Sequence, residues 1–313
     1  MLLKKSKADK PILVIGDVIL DIYHFGEVLA VSEGVSVGRE GNTRLSWGGA
    51  GLLVRNLLEL KQKVVFISRL GDDQWSEYGT AWTHRNLTKC FMREKGRRTT
   101  VKERFVVGGK KVFKWNTLEN RALCAATEKQ ILFFAKKHMR LCRALIISDY
   151  RHGLLSKRLA RQILALAQKM NIPTFVDSQV SQKEANHHWY KGADVFCLNE
   201  TEAECVHENF SQETLRESLA RLSDALASKY IIVKLSENGS VALIEHAVIQ
   251  TPAHKVTVVD TCGAGDAFLA ALASRGFPPS EESLAFANFW AGLSTTVVGA
   301  EPPKYKKYKH VRH

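Results

Sequence analysis

The regular alternation of short apolar runs with helical segments constrains the fold of this chain most. Four apolar runs of strand length lie at 144–148, 173–176, 195–198 and 231–235. Helical periodicity marks the neighbouring segments 127–139, 156–170 and 211–227. Strands joined through helices pair in parallel, because a parallel pair needs a long crossover connection. The sequence therefore predicts an α/β fold with a mostly parallel sheet covered by helices on both faces.

Polar residues follow the predicted strands at their carboxyl ends. These residues are Asp17, Asp149, Asp177, Asn199 and Asp260. Each of them alone is explained by a turn, which Asp and Asn favour. Together they indicate more than turns, because open α/β sheets bind ligands at the carboxyl ends of their strands. The sequence therefore predicts a ligand site along that edge of the sheet.

A glycine-rich turn lies at 263–265. The apolar run 256–259 before it predicts the end of a strand, and the small residues 267–274 after it predict a helix. Backbone N–H groups converge at such a helix start, where the helix dipole also favours negative charge. Asp266 lies in the predicted first helical turn. Beside a phosphate under attack, its carboxylate can accept the proton of the incoming hydroxyl; the alternative is that it only complements the dipole.

A second glycine-rich segment, 48–51, precedes a helix predicted at 52–60 and again permits close backbone approach to a ligand. The segment 23–45 between the first strand and this helix is polar and dotted with glycines, so it predicts short exposed strands. The segment 74–87 predicts a further helix.

The segment 99–115 has the pattern of a β-hairpin that turns at Gly108-Gly109. The cross-strand pairs expected from this turn are Phe105 with Val112 and Glu103 with Lys114. Lys102 and Arg104 lie two residues apart, so their side chains leave the same face of the strand. The hairpin is therefore a positively charged β unit that interrupts the α/β pattern.

Composition and charge predict a cytoplasmic protein. No run of 18 apolar residues is present, so no membrane span is expected, and the basic N-terminus lacks the apolar core of a signal peptide. The six cysteines form no C-x-x-C pair, which argues against a zinc site or a disulfide framework. The net charge of +13 is concentrated partly at the two ends. Solvated basic ends explain this better than a nucleic-acid partner.

Three of these segments together resemble the signatures of the ribokinase-like (PfkB) carbohydrate kinases. The matching segments are Asp260-Thr261 with Gly263-Ala264-Gly265-Asp266, then Gly48-Gly49-Ala50-Gly51, and the N-x-x-E element Asn199-Glu200-Thr201-Glu202. Order and spacing agree over residues 11–300. The segments 14–21, Ser148-Asp149-Tyr150, 236–239 and Ala287-Asn288 resemble one branch most, the heptose-7-phosphate kinase half of bacterial ADP-heptose synthases. The resemblance implies a ribokinase-like three-layer sandwich, with residues 1–313 as one kinase domain and a β lid inserted at about 22–46 and 97–117.

The resemblance also implies a role for each motif residue. Asp266 would be the catalytic base, and the N–H groups of Gly263, Ala264 and Gly265 would form the anion hole. The residues implied to bind ATP are Asn199, Glu200, Thr201, Glu202, Ser236, Gly239 and Asn288. Of these, Asn199 and Glu202 would also hold Mg²⁺, mostly through water. Those implied to bind the sugar are Asp17, Asp21, Gly48, Gly49, Asp149 and, from the lid, Lys102 and Arg104. Asp260, with the Val298-Gly299 region, is the implied ligand of a monovalent cation such as K⁺.

Some positions depart from the heptose branch. Leu52 stands where the branch usually has Asn, and Ser178-Gln179 stands where it usually has Pro-Lys. These changes leave the sugar open: the leading substrate is a heptose 7-phosphate, and the alternative is another sugar or a nucleoside. A third possibility, a non-catalytic basic binding protein, is disfavoured because such a protein has no need of Asp266, Asn199 and Glu202 together. The resemblance also implies a homodimer formed through the lid.

Overall fold

The computed structural model describes residues 10–33, 35–181, 184–210 and 212–304. The strands are β1 (Ile12–Gly16), β2 (Val18–Ser32), β3 (Val35–Gly49), β4 (Val64–Leu70), β5 (Leu87–Arg93), β6 (Val101–Val107), β7 (Lys110–Thr117), β8 (Ala144–Asp149), β9 (Thr174–Ser178), β10 (Val195–Asn199), β11 (Tyr230–Lys234), β12 (Ser240–Ile244) and β13 (Ala247–Thr251). The helices are α1 (Ala50–Glu59), α2 (Trp75–Ala81), α3 (Ala125–Met139), α4 (Lys157–Lys169), α5 (Glu200–Val206), α6 (Leu215–Leu226), α7 (Ala264–Arg275) and α8 (Glu281–Ser294).

The main sheet contains nine strands within the described residues, in the order β13-β12-β11-β10-β9-β8-β1-β4-β5. Pairing is parallel from β11 to β5 and antiparallel at β12 and β13. Alternate residues of β1 point to opposite faces, so Leu13 packs with α3, α4 and α6 while Val14 packs with α1, α7 and α8. The predicted three-layer sandwich is therefore confirmed.

A separate small sheet, which we call the lid, has the strand order β3-β2-β6-β7. Only β2 and β6 pair in parallel. The strands β2 and β3 are each 15 residues long, so the prediction of short strands in 23–45 was wrong. Their length follows from pairing with each other along most of their extent, through two register shifts. The lid thus occupies 18–49 and 101–117, close to the expected 22–46 and 97–117.

The hairpin turns at Gly108-Gly109 as predicted, and both glycines have positive φ (56° and 77°). The predicted register was wrong beyond the turn, because a bulge lies between Phe105 and Val106. Phe105 consequently lies opposite Phe113, and Glu103 lies opposite Trp115.

The start of α4 was predicted correctly from its capping serine. Ser156 precedes α4 and accepts a hydrogen bond from the Leu159 N–H at 3.2 Å. The helix predicted from residue 74 ends early at Ala81, and the missed strand β5 follows it. Thr127 does not cap α3, which begins two residues earlier. Ser211, predicted to start the next helix, lies outside the described residues, and α6 is capped by Thr214.

The apolar run 256–259 is not a strand, contrary to the prediction. Val258 and Val259 are 58% and 53% exposed, so the chain approaches the glycine-rich turn as a loop over the surface. Among the described residues, none of the helices combines the length and apolar character that a membrane crossing requires.

Candidate active site

The glycine-rich turn and the start of α7 have the predicted arrangement. Gly263 has a φ of 83°, and a Cβ there would lie 2.2 Å from Leu52 Cδ2, so both conformation and space require glycine. Leu52 is 2% exposed and forms the apolar floor beneath this turn. Asp266 lies in the first turn of α7, directly after Ala264 and Gly265.

Asp266 is held by a tyrosine from the other side of the site. The Tyr150 hydroxyl is 2.7 Å from each carboxylate oxygen of Asp266, to which it donates. Burial raises the pKa of Asp266 to about 8, against the opposing effect of this hydrogen bond. A carboxyl group with a pKa near the working pH suits proton transfer. Sequence reasoning did not assign Tyr150 to the site, although its position after the end of β8 was a signal.

Lys234 places a positive charge beside the glycine-rich turn. Its ammonium is 2.7 Å from Asp177 Oδ2 and 3.4 Å from where a Cβ of Gly265 would lie. Burial opposes the charged form, but the carboxylates of Asp177 and Glu202 raise the pKa of Lys234. Lys234 was not assigned to the site from the sequence. The feature that could have indicated it is a single lysine at the end of a buried strand.

Asn199 and Glu202 form a reciprocal cap at the start of α5. The Glu202 N–H donates to Asn199 Oδ1 at 2.9 Å, and the Asn199 N–H donates to Glu202 Oε2 at 2.8 Å. Glu202 is 4% exposed. Burial, followed by the charge of Asp177, raises the pKa of Glu202 to about 7. Glu200 and Thr201, in the same first turn, are exposed.

The remaining predicted nucleotide residues gather around the end of β13. A Cβ at Gly239, whose φ is 87°, would lie 2.1 Å from the Thr251 carbonyl oxygen. Asn288 Nδ2 donates to that same oxygen at 3.2 Å and to Ser240 Oγ at 2.9 Å. Ser236 begins the tight turn that leads into Gly239.

The lid turns Lys102 and Arg104 toward the site on one face of β6. Arg104 Nη1 donates to Asp21 Oδ1 at 2.5 Å, and its guanidinium lies 5.3 Å from the ring centre of Tyr23. The Lys102 ammonium lies 5.7 Å from the ring centre of Tyr150, the hydrogen-bond partner of Asp266. Burial lowers the pKa of Lys102 and raises that of Asp21.

Gly48 and Gly49 make room for two carboxylate-bearing segments. A Cβ at Gly48 would lie 1.8 Å from Asp21 Oδ2. Gly49 has a φ of 58°, and a Cβ there would lie 2.7 Å from the Asp17 carbonyl oxygen. The two glycines therefore allow Asp21 and the end of β1 to approach the start of α1.

Asp17, which the resemblance assigns to the sugar, fixes a loop of the site through backbone hydrogen bonds. Its carboxylate accepts hydrogen bonds from the N–H groups of Tyr150, His152 and Leu154 at 3.0, 3.3 and 3.2 Å. Burial, followed by the charge of Asp149, raises the pKa of Asp17 to about 7. Asp17 thus holds the loop that presents Tyr150 to Asp266.

Asp149, which the resemblance assigns to the sugar, is buried among hydrogen-bond donors at the end of β8. It is 2% exposed and accepts hydrogen bonds from the Tyr190 hydroxyl at 2.6 Å, Asn186 Nδ2 at 2.7 Å and the Arg151 N–H at 2.9 Å. A side chain with these partners positions the end of β8.

Asp260, the implied cation ligand, is paired with a lysine of the lid. Its Oδ1 accepts hydrogen bonds from Lys111 Nζ at 2.7 Å and the Cys262 N–H at 3.1 Å. Its Oδ2 accepts from the Gly299 N–H at 2.9 Å. Burial opposes ionisation, but these contacts hold the pKa of Asp260 below its ordinary value.

A family model gives the decisive comparison. The model of the pfkB family carbohydrate kinases matches residues 9–307, which is nearly the whole chain. This protein is a pfkB family carbohydrate kinase. The resemblance drawn from its three motifs is therefore confirmed.

Two bifunctional proteins named HldE are similar to this kinase. HldE of Acidiphilium cryptum is 31% identical over 296 residues, an alignment that covers 92% of this chain and 60% of that protein. HldE of Campylobacter jejuni is 30% identical over 272 residues, covering 86% of this chain and 57% of that protein. The kinase thus spans about three fifths of the length of these curated relatives.

Solved structures confirm the ribokinase-like fold of the kinase. Phosphofructokinase-2 from Escherichia coli in complex with fructose-6-phosphate aligns with a TM-score of 0.77 and 17% identity, covering 96% of this chain and 97% of that one. Ribokinase of Arabidopsis thaliana complexed with ribose and ATP gives a TM-score of 0.68 and 20% identity, covering 95% and 96%.

Among the described residues, a cavity of about 1050 Å³ lies at the amino ends of the strands, away from every motif residue. Arg140 and Arg275 line it at the carboxyl-terminal ends of α3 and α7, where cations offset the helix dipole. We therefore place the site by its residues rather than by cavity size. Within the described residues, no group of three or more His, Cys, Asp or Glu could hold a metal directly.

Proposed function

We propose that this kinase transfers the γ-phosphoryl group of ATP to a hydroxyl of a sugar phosphate, with a heptose 7-phosphate as the leading substrate and its 1-hydroxyl as the acceptor. The observation that carries the proposal is Asp266, a buried carboxyl group with a raised pKa, placed in the first turn behind a glycine-rich anion site. The similarity to HldE over 92% of this chain supports the heptose substrate.

Asp266 accepts the proton of the attacking hydroxyl in this proposal. The N–H groups of Gly263, Ala264 and Gly265 stabilise the charge that develops on the transferring phosphoryl group. Lys234, whose ammonium lies beside Gly265, adds positive charge at the same place. Tyr150 orients the base and lowers the pKa that burial alone would give it.

The nucleotide occupies the side of the site formed by α5 and the end of β13. The turn from Ser236 to Gly239, together with Asn288, would border its base and ribose, and the start of α5 would face its phosphates. Mg²⁺ would arrive with those phosphates and neutralise part of their charge. Glu202 and Asn199 would meet its water shell, which fits a pair that already caps a helix and a metal that keeps several waters.

The lid would cover the sugar with its charged face. Lys102 lies above Tyr150, and Arg104 is fixed by Asp21, so both cations face the acceptor side of the site. Closure of this sheet would exclude water during transfer. A phosphate at the far end of the sugar gives these cations a partner, which a free sugar lacks.

The opposite lid face supports a homodimer formed through the lid. Phe113 and Trp115 lie opposite Phe105 and Glu103 in the sheet and are 52% and 59% exposed. Exposed aromatic side chains on a small sheet favour pairing with a second copy. Sedimentation of the wild type and of Trp115→Glu tests this: a dimer that dissociates in the variant supports it, and a wild-type monomer contradicts it.

A substrate panel tests the function. The purified kinase is given ATP and Mg²⁺ with a heptose 7-phosphate, the same heptose without phosphate, fructose 6-phosphate, ribose and adenosine, and ADP release is measured. The proposal expects the highest kcat/KM with the heptose 7-phosphate. Preference for a free sugar or for adenosine would establish the alternative, and sugar-independent ADP release alone would contradict both.

A further inference from the structure

Two cations of the lid reach the body of the kinase next to the glycine-rich turn. Lys111 of β7 lies 2.7 Å from Asp260, and Arg44 of β3 donates from Nη2 to the Val298 carbonyl oxygen at 2.7 Å. The Asp260 side chain is 7% exposed and that of Lys111 is 28% exposed, so their contact is largely sheltered from water. These are contacts between the lid and the body of the kinase, made by residues far apart in sequence.

Asp260 connects three parts of the molecule through one carboxylate. Besides Lys111, it accepts the N–H of Cys262, the residue directly before Gly263, and the N–H of Gly299. The conformation of the glycine-rich turn 263–265, which we call the anion turn, therefore depends on Asp260. Asp260 in turn bonds to Lys111 of the lid.

The residues implied to hold a monovalent cation do not fit one in this arrangement. Asp260 has its charge matched by the Lys111 ammonium at hydrogen-bond distance. The neighbouring Val298 carbonyl is taken by the Arg44 guanidinium, and a side chain at Gly299 would lie only 2.3 Å from Arg44 Nη2. A free cation placed among these groups would meet two fixed positive charges instead of available oxygens.

We propose that Lys111 and Arg44 of the lid take the place of a monovalent cation, so that lid closure itself completes the anion turn and the kinase works without K⁺. The inference rests on the proposed function, because it concerns the same turn. Lys111 is a positioning residue here: it acts on the N–H of Cys262 through Asp260 and touches no reacting atom. The lid thereby links enclosure of the sugar to the geometry of the phosphoryl site.

The test compares salts that differ only in their cation. Turnover is measured with the best substrate of the panel in tetramethylammonium chloride and in KCl, at a constant ionic strength of about 0.1 M. The wild type should have the same turnover in both salts within about twofold. Lys111→Ala should lose at least about tenfold in tetramethylammonium, since removing one anion-hole donor outright is worth roughly 10²–10³-fold. KCl or ammonium chloride should restore part of that loss.

Lys110→Ala is the matched control, because Lys110 is the neighbouring exposed lysine of the same strand and should leave both measurements unchanged. Activation of the wild type by K⁺ of tenfold or more would overturn the inference. The inference would also be overturned if Lys111→Ala and Lys110→Ala had the same turnover in tetramethylammonium chloride.

Thermal unfolding gives a readout that does not depend on activity. K⁺ should raise the Tm of Lys111→Ala, where the Asp260 carboxylate becomes available, and leave the Tm of the wild type unchanged relative to tetramethylammonium. The reverse pattern would overturn the inference. If the wild type phosphorylates nothing in the panel, the proposed function fails, while this comparison still decides whether the lid cations occupy the cation position.

Discussion

Tyr150→Phe removes the hydrogen bond that lowers the pKa of Asp266, the proposed base, and leaves Asp266 in place. The Tyr150 hydroxyl lies 2.7 Å from both oxygens of Asp266, and this contact opposes the burial that raises the pKa of Asp266 to about 8. A hydrogen bond to a charged group contributes roughly 1.5–3 kcal/mol, and one pKa unit corresponds to about 1.36 kcal/mol. The substitution should therefore raise the pKa of Asp266 further, by roughly one to two units.

The sign of the effect on the rate follows from the state that reacts. Asp266 must be ionised to accept a proton, and below its pKa the ionised fraction falls tenfold for each unit. At pH 7 the variant should therefore lose roughly 10- to 100-fold in kcat/KM. At a pH above the shifted ionisation, kcat/KM should return toward the wild-type value, because the carboxylate is again present.

The assay is a profile of log kcat/KM for the sugar from about pH 6 to 11, the range that brackets both ionisations. Tyr78→Phe is the control, because its hydroxyl makes a similar single contact, to the Leu45 carbonyl at 3.1 Å, outside the site. The reasoning would be refuted if the pH profile of Tyr150→Phe rose at the same pH as the wild-type profile. An equal loss at every pH would also refute it, since that result indicates misplacement of the base and not a change in its pKa.

Three further substitutions test separate parts of the site. Asp266→Asn should lower kcat by roughly 10²–10⁴-fold. The Tm of this variant at pH 8 should not fall below that of the wild type. Burial raises the pKa of Asp266 from 3.8 to about 8, so ionisation of Asp266 destabilises the native state as the pH rises through this range. Glu202→Gln should raise the Mg²⁺ concentration for half activity more than it changes the KM for sugar, and an unchanged Mg²⁺ titration would leave Glu202 only as the cap of α5. Lys102→Met should reduce the preference for a phosphorylated over a free sugar by at least roughly tenfold, the value of a charge-assisted contact, with Lys110→Ala as control; equal losses with both sugars would contradict this role.

The position of Asp266, the proposed base, and the glycine-rich turn before it were predictable from the sequence because they are local. A glycine-rich turn before a small-residue helix specifies backbone conformation over a few residues, so Asp266 was placed in the first helical turn from the pattern alone. The reciprocal cap of Asn199 and Glu202 is equally local, since its two partners are three residues apart. The parallel sheet followed from the alternation of strands and helices, which depends on connection length and not on particular side chains.

The partners of these residues were decided only by the tertiary structure. Tyr150 reaches Asp266 because the loop after β8 and the start of α7 meet in the folded chain, and the sequence does not state how these distant segments pack. Asp149 satisfied the same strand-end pattern as Asp177, yet buried hydrogen-bond donors surround it and turn it into an anchor. Burial forces each charge to find a partner, and which partner is near depends on how the lid folds over the body. For that reason the sequence indicated Asp260 as a cation ligand but could not show that Lys111 of the lid lies 2.7 Å from its carboxylate.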